Sequence, residues 1–316
     1  MSDLPKSVHI TEEGPREGFQ IEKSPIATAR KIALIDALSQ TGLDRIQIVS
    51  FVNPKAVPGM VDADEVVRGI TPHAGVAYTA LWLNTKGFER AMEFSDRLAN
   101  TGTIQLSASE KFSLRNQNRN AAQQLAEQHA IVESYKAAGV AVERGSIMAA
   151  FGCNFEGDIP ASHIVALVAQ ILDVAREHSV TLKYITLADT MAWATPLAIK
   201  RVVGSLRERW PKLDVALHLH DTRGMAIANA YAGLEMGVMR FDSSVAGLGG
   251  CPFAGHQGAA GNVCTEDLVF MCDELGIETG IELDALIECA RLAEEVVGHP
   301  LPGSVMKGGT LKRFRK

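Results

Sequence analysis

The chain has 316 residues, 47% of them hydrophobic, with a formal net charge of −6. That length supplies ample apolar material for a large core, and the acidic balance argues against a nucleic-acid protein, whose binding domain is usually basic. Five cysteines, an odd number without zinc-type pair spacing, read as reduced thiols in a cytoplasm-like compartment, and neither a signal-peptide core nor an 18-residue apolar run is present.

Short β-branched runs alternate with longer segments of helical period. Strands are expected at 8–13, 45–51 (RIQIVSF), 75–83, 103–109, 140–151, 181–188, 213–219 (LDVALHL) and 240–245. Helices are expected at 25–41, 62–69, 86–98, 118–138, 160–178, 196–209, 225–237 and 265–275, with another at 282–297. Ser24 before Pro25 suits an N-cap followed by a first-turn proline, Thr195-Pro196 repeats that signal, and Gly42, Gly139 and Gly237 suit helix ends. Eight strand–helix units in a row predict an α/β fold, a (β/α)8 TIM barrel over about 8–275. Additional C-terminal helices form a cap over about 276–300, followed by a solvated, frayed basic tail at 307–316. A doubly wound open sheet is the weaker alternative, because the first turn, "GPREG", is not a glycine-rich nucleotide turn. No low-complexity linker divides the chain, so 1–316 is expected to be a single domain.

A barrel places its chemistry at the carboxyl ends of its strands. The first such end carries Arg16 and Glu17. The seventh carries His218 and His220, two apart and therefore on one side of a strand, a parity that suits two imidazoles on one metal; a pair of hydrogen-bonded strand histidines reads equally well. Asp221 follows and could orient one of them. Asp189 ends the sixth strand, where an ordinary turn or capping role competes with a functional one. The eighth strand opens a glycine-rich loop holding Cys251, His256, Asn262 and Glu266, a composition that suits a mobile lid carrying a thiol. Ser107, Ser109 and Glu110, and Cys153 and Glu156, are weaker candidates; Cys153 suits a core position, and Cys264, Cys272 and Cys289 suit packing. One carboxylate, two histidines and an amide make a mixed N/O set that suits Mg2+ or Mn2+ and tolerates Co2+ or Zn2+.

The segments "GPREGFQIEK", "SFVNPKAVPGM", "LADT", "LHLHDTRGMAIAN" and "DSSVAGLGGCPFAG" with "GAAGNVCTEDLVFM" resemble the 3-hydroxy-3-methylglutaryl-CoA lyase family, over about residues 8–298. The resemblance implies a metal-dependent TIM-barrel lyase that cleaves a 3-hydroxyacyl-CoA by retro-Claisen chemistry. The default substrate would be 3-hydroxy-3-methylglutaryl-CoA, giving acetyl-CoA and acetoacetate. It implies metal ligands at Glu17, His218, His220 and Asn262, and a catalytic arginine at Arg16. It also implies a loop cysteine for proton transfer at Cys251, acidic groups at Asp189 and Glu266, and an acyl-CoA-end lysine at Lys23. An acyl-CoA partner and a homodimer or larger homo-oligomer are implied as well. Phe19, Phe112, Met191 and Trp193 are expected to line the substrate pocket.

The sequence departs from the family pattern in three places. Glu17 stands where the pattern has aspartate, Gln47 stands where it has a glutamate supporting the arginine, and the loop carries two extra residues around Gly255-His256. Alternative readings are a lyase acting on another hydroxyacyl-CoA such as citramalyl-CoA, a condensing acyltransferase, and an acyl-CoA-binding paralogue without turnover.

Overall fold

The structure, a computed structural model, describes residues 4–22, 24–250 and 260–315. The chain order is β1 (His9–Glu12), α1 (Gly14–Ile21), α2 (Thr28–Leu38), β2 (Arg45–Ser50), α3 (Ala63–Gly69), β3 (Ala77–Leu81), α4 (Thr85–Met92), β4 (Gly102–Ser107), α5 (Glu110–Gln117), α6 (Ala121–Ala137) and β5 (Val142–Met148). A two-stranded hairpin follows, β6 (Gly152–Cys153) and β7 (Gly157–Asp158). The order then runs α7 (Ala161–Glu177), β8 (Tyr184–Asp189), α8 (Pro196–Arg209), β9 (Asp214–Leu219), α9 (Ala226–Glu235), β10 (Arg240–Ser243), α10 (Thr265–Leu275), α11 (Leu283–Val297) and α12 (Val305–Gly308).

Eight strands form one parallel sheet in the order β3-β2-β1-β10-β9-β8-β5-β4, with helices in the crossovers: a (β/α)8 TIM-barrel fold with additional C-terminal helices. Strands β2 and β8 are buried on both faces from their second residue onward, between the crossover helices and the barrel interior. Among the described residues no strand ladder joins β3 to β4. That seam is bridged instead by Ala99 N–H to the Tyr78 carbonyl at 2.8 Å, and by Trp82 Nε1–H to the Tyr135 hydroxyl at 2.7 Å. Inside the barrel, branched apolar side chains would be usual. Here Gln47, Thr79, Arg144 and Ser146 face a cavity of about 860 Å3.

Several local expectations shift. Ser24 caps no helix: α2 begins at Thr28 behind Ala27, and it ends at Leu38, leaving Gly42 in the turn beyond it. The helix expected at 118–138 is α6, starting at Ala121: Asn118 takes a left-handed conformation that ends a separate helix, α5, and Asn120 opens α6 through a capping box. Thr195 caps α8 as its sequence signal predicts. The basic tail packs rather than frays, with Arg315 paired to Glu274 on α10.

The largest change lies in "GPREGFQI", which is not a turn but helix α1. Pro15 suits its first turn, where the missing N–H costs nothing. Gly14 N–H donates to Glu12 Oε1 at 2.7 Å, satisfying one of the free donors at the helix start. Residues 14–19 are buried, so Arg16 and Glu17 sit in the first turn of a helix sunk into the barrel mouth. Gly59 lets that helix seat: a Cβ there would lie 2.0 Å from the Phe19 carbonyl oxygen.

Candidate active site

His218 and His220 leave the end of β9 on the same side, and their Nε2 atoms approach to 3.1 Å. Each ring is oriented from its far nitrogen. His218 Nδ1 lies 3.2 Å from Asp242 Oδ2, and the two residues are register partners across β9 and β10. His220 Nδ1 lies 2.9 Å from the Ala260 carbonyl, to which it donates. With both Nδ1–H groups donating outward, the two Nε2 lone pairs face one another, an arrangement that calls for a proton or a cation between them.

Glu17 closes the group. Its Oε1 lies 2.9 Å from His220 Nε2, and its Oε2 accepts from Asn262 Nδ2 at 2.6 Å. Burial alone would raise the Glu17 carboxyl, but His220, with Arg16 and His218 near it, outweighs burial and brings it down to about 2. Glu17 is therefore an anion at neutral pH. Asn262 Oδ1 is buried and has no hydrogen-bond partner, a cost that a cation would remove. Glu17, His218 and His220 offer ligand atoms all within 4.8 Å of one another. Carboxylate, imidazoles and an unpartnered amide oxygen fit a divalent cation with N/O preference.

Arg16 lies beside this group. Its Nε donates to Gln47 Oε1 at 2.5 Å and its Nη2 pairs with Glu13. Asp242 also takes Arg144 Nη2 at 3.2 Å. Burial would push Asp242 up, but Arg144 and His218 outweigh it and hold it low. Burial raises Glu13, with Arg16 opposing. His218 is raised: burial lowers it, but its Asp242 hydrogen bond and the Glu13 and Glu17 charges outweigh that.

Arg16, Glu17, Gln47, His218 and His220 all border the cavity, and Asn262 joins them through Glu17. Asp189 does not border it. Its Oδ1 accepts from Trp193 N–H at 2.7 Å and Ala194 N–H at 3.0 Å, and burial pushes it up to about 6 against those bonds. Glu266 stands away from the group, accepting from Ala246 N–H at 3.0 Å beneath Gly303. Asp221 orients neither histidine; its carboxylate accepts from Ala226 N–H at the start of α9. Phe112 lines the cavity, whereas Phe19, Met191 and Trp193 do not. Ser109 caps α5 and contacts Cys153 and Glu156. Cys153, Cys264, Cys272 and Cys289 are free and buried, in keeping with packing. Lys23, Cys251 and His256 lie outside the described residues. Gly250, just before Cys251, borders the cavity, and a Cβ on Gly249 would lie 3.0 Å from Glu17 Cγ.

Three members of the network are not evident from sequence: Glu13, Asp242 and Arg144. Each left a signal, namely the second carboxylate of "TEEG" and charges within the otherwise apolar "VERGSIM" and "RFDSS". Asp242 needs the β9–β10 register to be seen as the partner of His218.

A TIM barrel with a carboxylate, two histidines and an amide gathered at the strand ends beside a buried arginine defines a metal-site lyase class. The HMGL-like family pattern matches residues 7–293, and the chain belongs to that family of carbon–carbon lyases. It is 38% identical to the hydroxymethylglutaryl-CoA lyase YngG of Bacillus subtilis over 298 residues, covering 94% of this chain and 96% of that one. It is 41% identical to the 3-hydroxy-3-isohexenylglutaryl-CoA/hydroxymethylglutaryl-CoA lyase of Pseudomonas aeruginosa, covering 94% and 95%. Among solved structures, an HMG-CoA lyase from Acinetobacter baumannii in complex with coenzyme A and 3-methylmalate superposes with a TM-score of 0.88. The two are 40% identical, with 100% of this chain and 99% of that one covered.

Proposed function

We propose that the chain cleaves a 3-hydroxyacyl-CoA between C2 and C3 by divalent-metal-dependent retro-Claisen chemistry. Its default substrate is 3-hydroxy-3-methylglutaryl-CoA, and its products are acetyl-CoA and acetoacetate. The observation that carries this reading is the convergence of the two imidazole Nε2 atoms and the Glu17 carboxylate beside Arg16 at the cavity. Glu17, His218, His220 and Asn262 would hold Mg2+ or Mn2+, which supplies a Lewis acid for substrate oxygens.

The chain's own residues divide the remaining work. Arg16 offsets the negative charge that grows on the thioester oxygen as the C2–C3 bond breaks. Both nitrogens of each histidine are committed, so the substrate hydroxyl proton is assigned to Asp189, reached through water, because Asp189 is buried between the cavity-lining Ala188 and Thr190. Its value of about 6 suits a base near neutral pH. Cys251 returns a proton to the enolate carbon; its neighbours Gly249 and Gly250 tie that part of the loop to Glu17 and the cavity. Arg90, Arg115 and Arg119 border the cavity and suit an anionic acyl-CoA, with Lys23 assigned to the same end of the substrate. Gln47 supports Arg16, and Glu266 supports the loop through Ala246.

The cavity, at about 860 Å3, also suits a bulkier 3-substituent than methyl, as the name of the Pseudomonas relative implies for that enzyme. We place the chain in the cytoplasm as a single domain, in a homodimer or larger assembly. The free thiols and the exposed Leu197 and Tyr231 on neighbouring α8 and α9 support this reading. No described helix is long and apolar enough to cross a membrane.

The test is acetyl-CoA release, with and without Mg2+ or Mn2+, across 3-hydroxy-3-methylglutaryl-CoA, its isohexenyl analogue and citramalyl-CoA. Turnover should require the cation. His218→Ala should abolish Mn2+ binding by calorimetry, and Cys251→Ser should keep it while losing most turnover. Wild-type Mn2+ affinity in His218→Ala would remove the ligand assignment.

A further inference from the structure

Arg16 is 8% exposed, and a guanidinium so buried needs an anionic partner. The group facing its Nε is Gln47, whose amide oxygen accepts but carries no charge. The charge comes from Glu13. Its Oε2 accepts from Arg16 Nη2 and lies 3.5 Å from His218 Nδ1. Glu13 is 1% exposed and stands at the junction of β1 and α1, three residues ahead of Arg16. Among the described residues the neighbouring carboxylate of Asp242 makes no hydrogen bond to Arg16 and is already shared by Arg144 and His218. Without Glu13, the buried Arg16 guanidinium and the half-buried one of Arg144 would have that one anion between them.

We propose that Glu13 is the positioning residue for Arg16, supplying from the β1–α1 junction the counter-charge that Gln47 on β2 does not carry. Gln47 and Glu13 together pin two edges of the guanidinium plane. Among the described residues Nη1 is left without a partner, on a side chain that borders the cavity. Through Nδ1 of His218 the same carboxylate ties the arginine to the cation site. This inference rests on the reading of Arg16 as the cation that faces the reacting thioester.

The test compares Glu13→Gln with the double variant Glu13→Gln/Gln47→Glu, which moves the carboxylate to the strand. Two readouts are taken: steady-state acetyl-CoA release, and the 15N–1H signal of the Arg16 Nε–H, identified by its loss in Arg16→Lys. Glu13→Gln should lower kcat about 30- to 100-fold with KM changed less than about threefold, the pattern of a loss felt mainly in the transition state. It should retain stoichiometric Mn2+ binding and shift or broaden the Arg16 signal. The double variant should recover the signal and most of kcat. A merely structural role for Glu13 would not be rescued from position 47. Wild-type kcat and signal in Glu13→Gln would overturn the proposal, as would a folded double variant that keeps the defects of Glu13→Gln. A wild-type protein that releases no acetyl-CoA from any substrate would count against the lyase reading instead, and the Arg16 signal would still decide the part played by Glu13.

Discussion

Glu17 spans His220 with one oxygen and Asn262 with the other. An aspartate on the same backbone would fall one methylene short and could not keep both contacts without movement of α1. Glu17→Asp is therefore expected to lower Mn2+ affinity by about tenfold, within the range seen when ligand support is disturbed. Its rescue would require α1 to approach β9. Asp242→Asn should cost about 10- to 100-fold in Mn2+ affinity, because His218 loses the carboxylate that fixes its tautomer. Calorimetric titration measures both, and unchanged affinity in Asp242→Asn would remove that role. The proposed ligands Glu17, His218 and His220, and Arg16 beside them, were legible in the sequence, since strand parity aligned His218 with His220 and strand-end position marked Arg16 and Glu17. Their partners were not. Asp242 lies on a different strand from His218, and only the register brings the two together. Asp221, the sequence neighbour, is turned toward α9 instead.

The strands and most helices follow from hydrophobic period, because buried parallel strands and amphipathic crossover helices leave distinct patterns. Helix α1 does not. Its eight residues include two glycines and a proline, and its burial comes from the barrel mouth rather than from an apolar stripe of its own. The β6–β7 hairpin, two residues a side, is too short to leave any period. What seats α1 is close approach. The Gly59 position lies 2.0 Å from the Phe19 carbonyl oxygen for a built Cβ, and Lys31 holds the same turn through the Gly59 carbonyl and Asp62, both at 2.7 Å. Gly59→Ala must push backbone against backbone. It should destabilise the fold by about 1–3 kcal/mol, the usual range for overpacking. Because α1 carries Arg16 and Glu17, Mn2+ affinity should fall with it. Chemical denaturation and calorimetry on the same samples test this, and a loss of stability with intact affinity would show that α1 does not move.

At the scale of the whole molecule, the barrel and its C-terminal helices meet around two buried carboxyls. Glu12, at the end of β1, accepts from Gly14 N–H, Val245 N–H and the Thr265 hydroxyl. Glu266, one residue along α10 from Thr265, accepts from Ala246 N–H, and its Oε1 has no partner. Burial pushes Glu12 up to about 8, against the hydrogen bonds it accepts, and Glu266 up to about 7. Both values lie above the ordinary carboxylate value of 4.5, so the folded chain keeps protons that the unfolded chain releases. Their contribution is most favourable below pH ~4.5 and is lost as pH rises through the folded values, each group costing up to about 1.4 kcal/mol per pH unit in that window. Glu17 acts oppositely, its stabilisation fading only as pH falls from the ordinary range toward about 2. The metal-free protein, kept so by chelation, should therefore lose stability between pH 5 and pH 8. Glu266→Gln cannot ionise, so it should flatten that decline between pH 5 and pH 7, whatever constant offset its unpaired amide introduces. Urea midpoints at unit pH intervals decide the matter: a flatter slope for the variant locates the titration at Glu266, and curves that run parallel to wild type place it elsewhere.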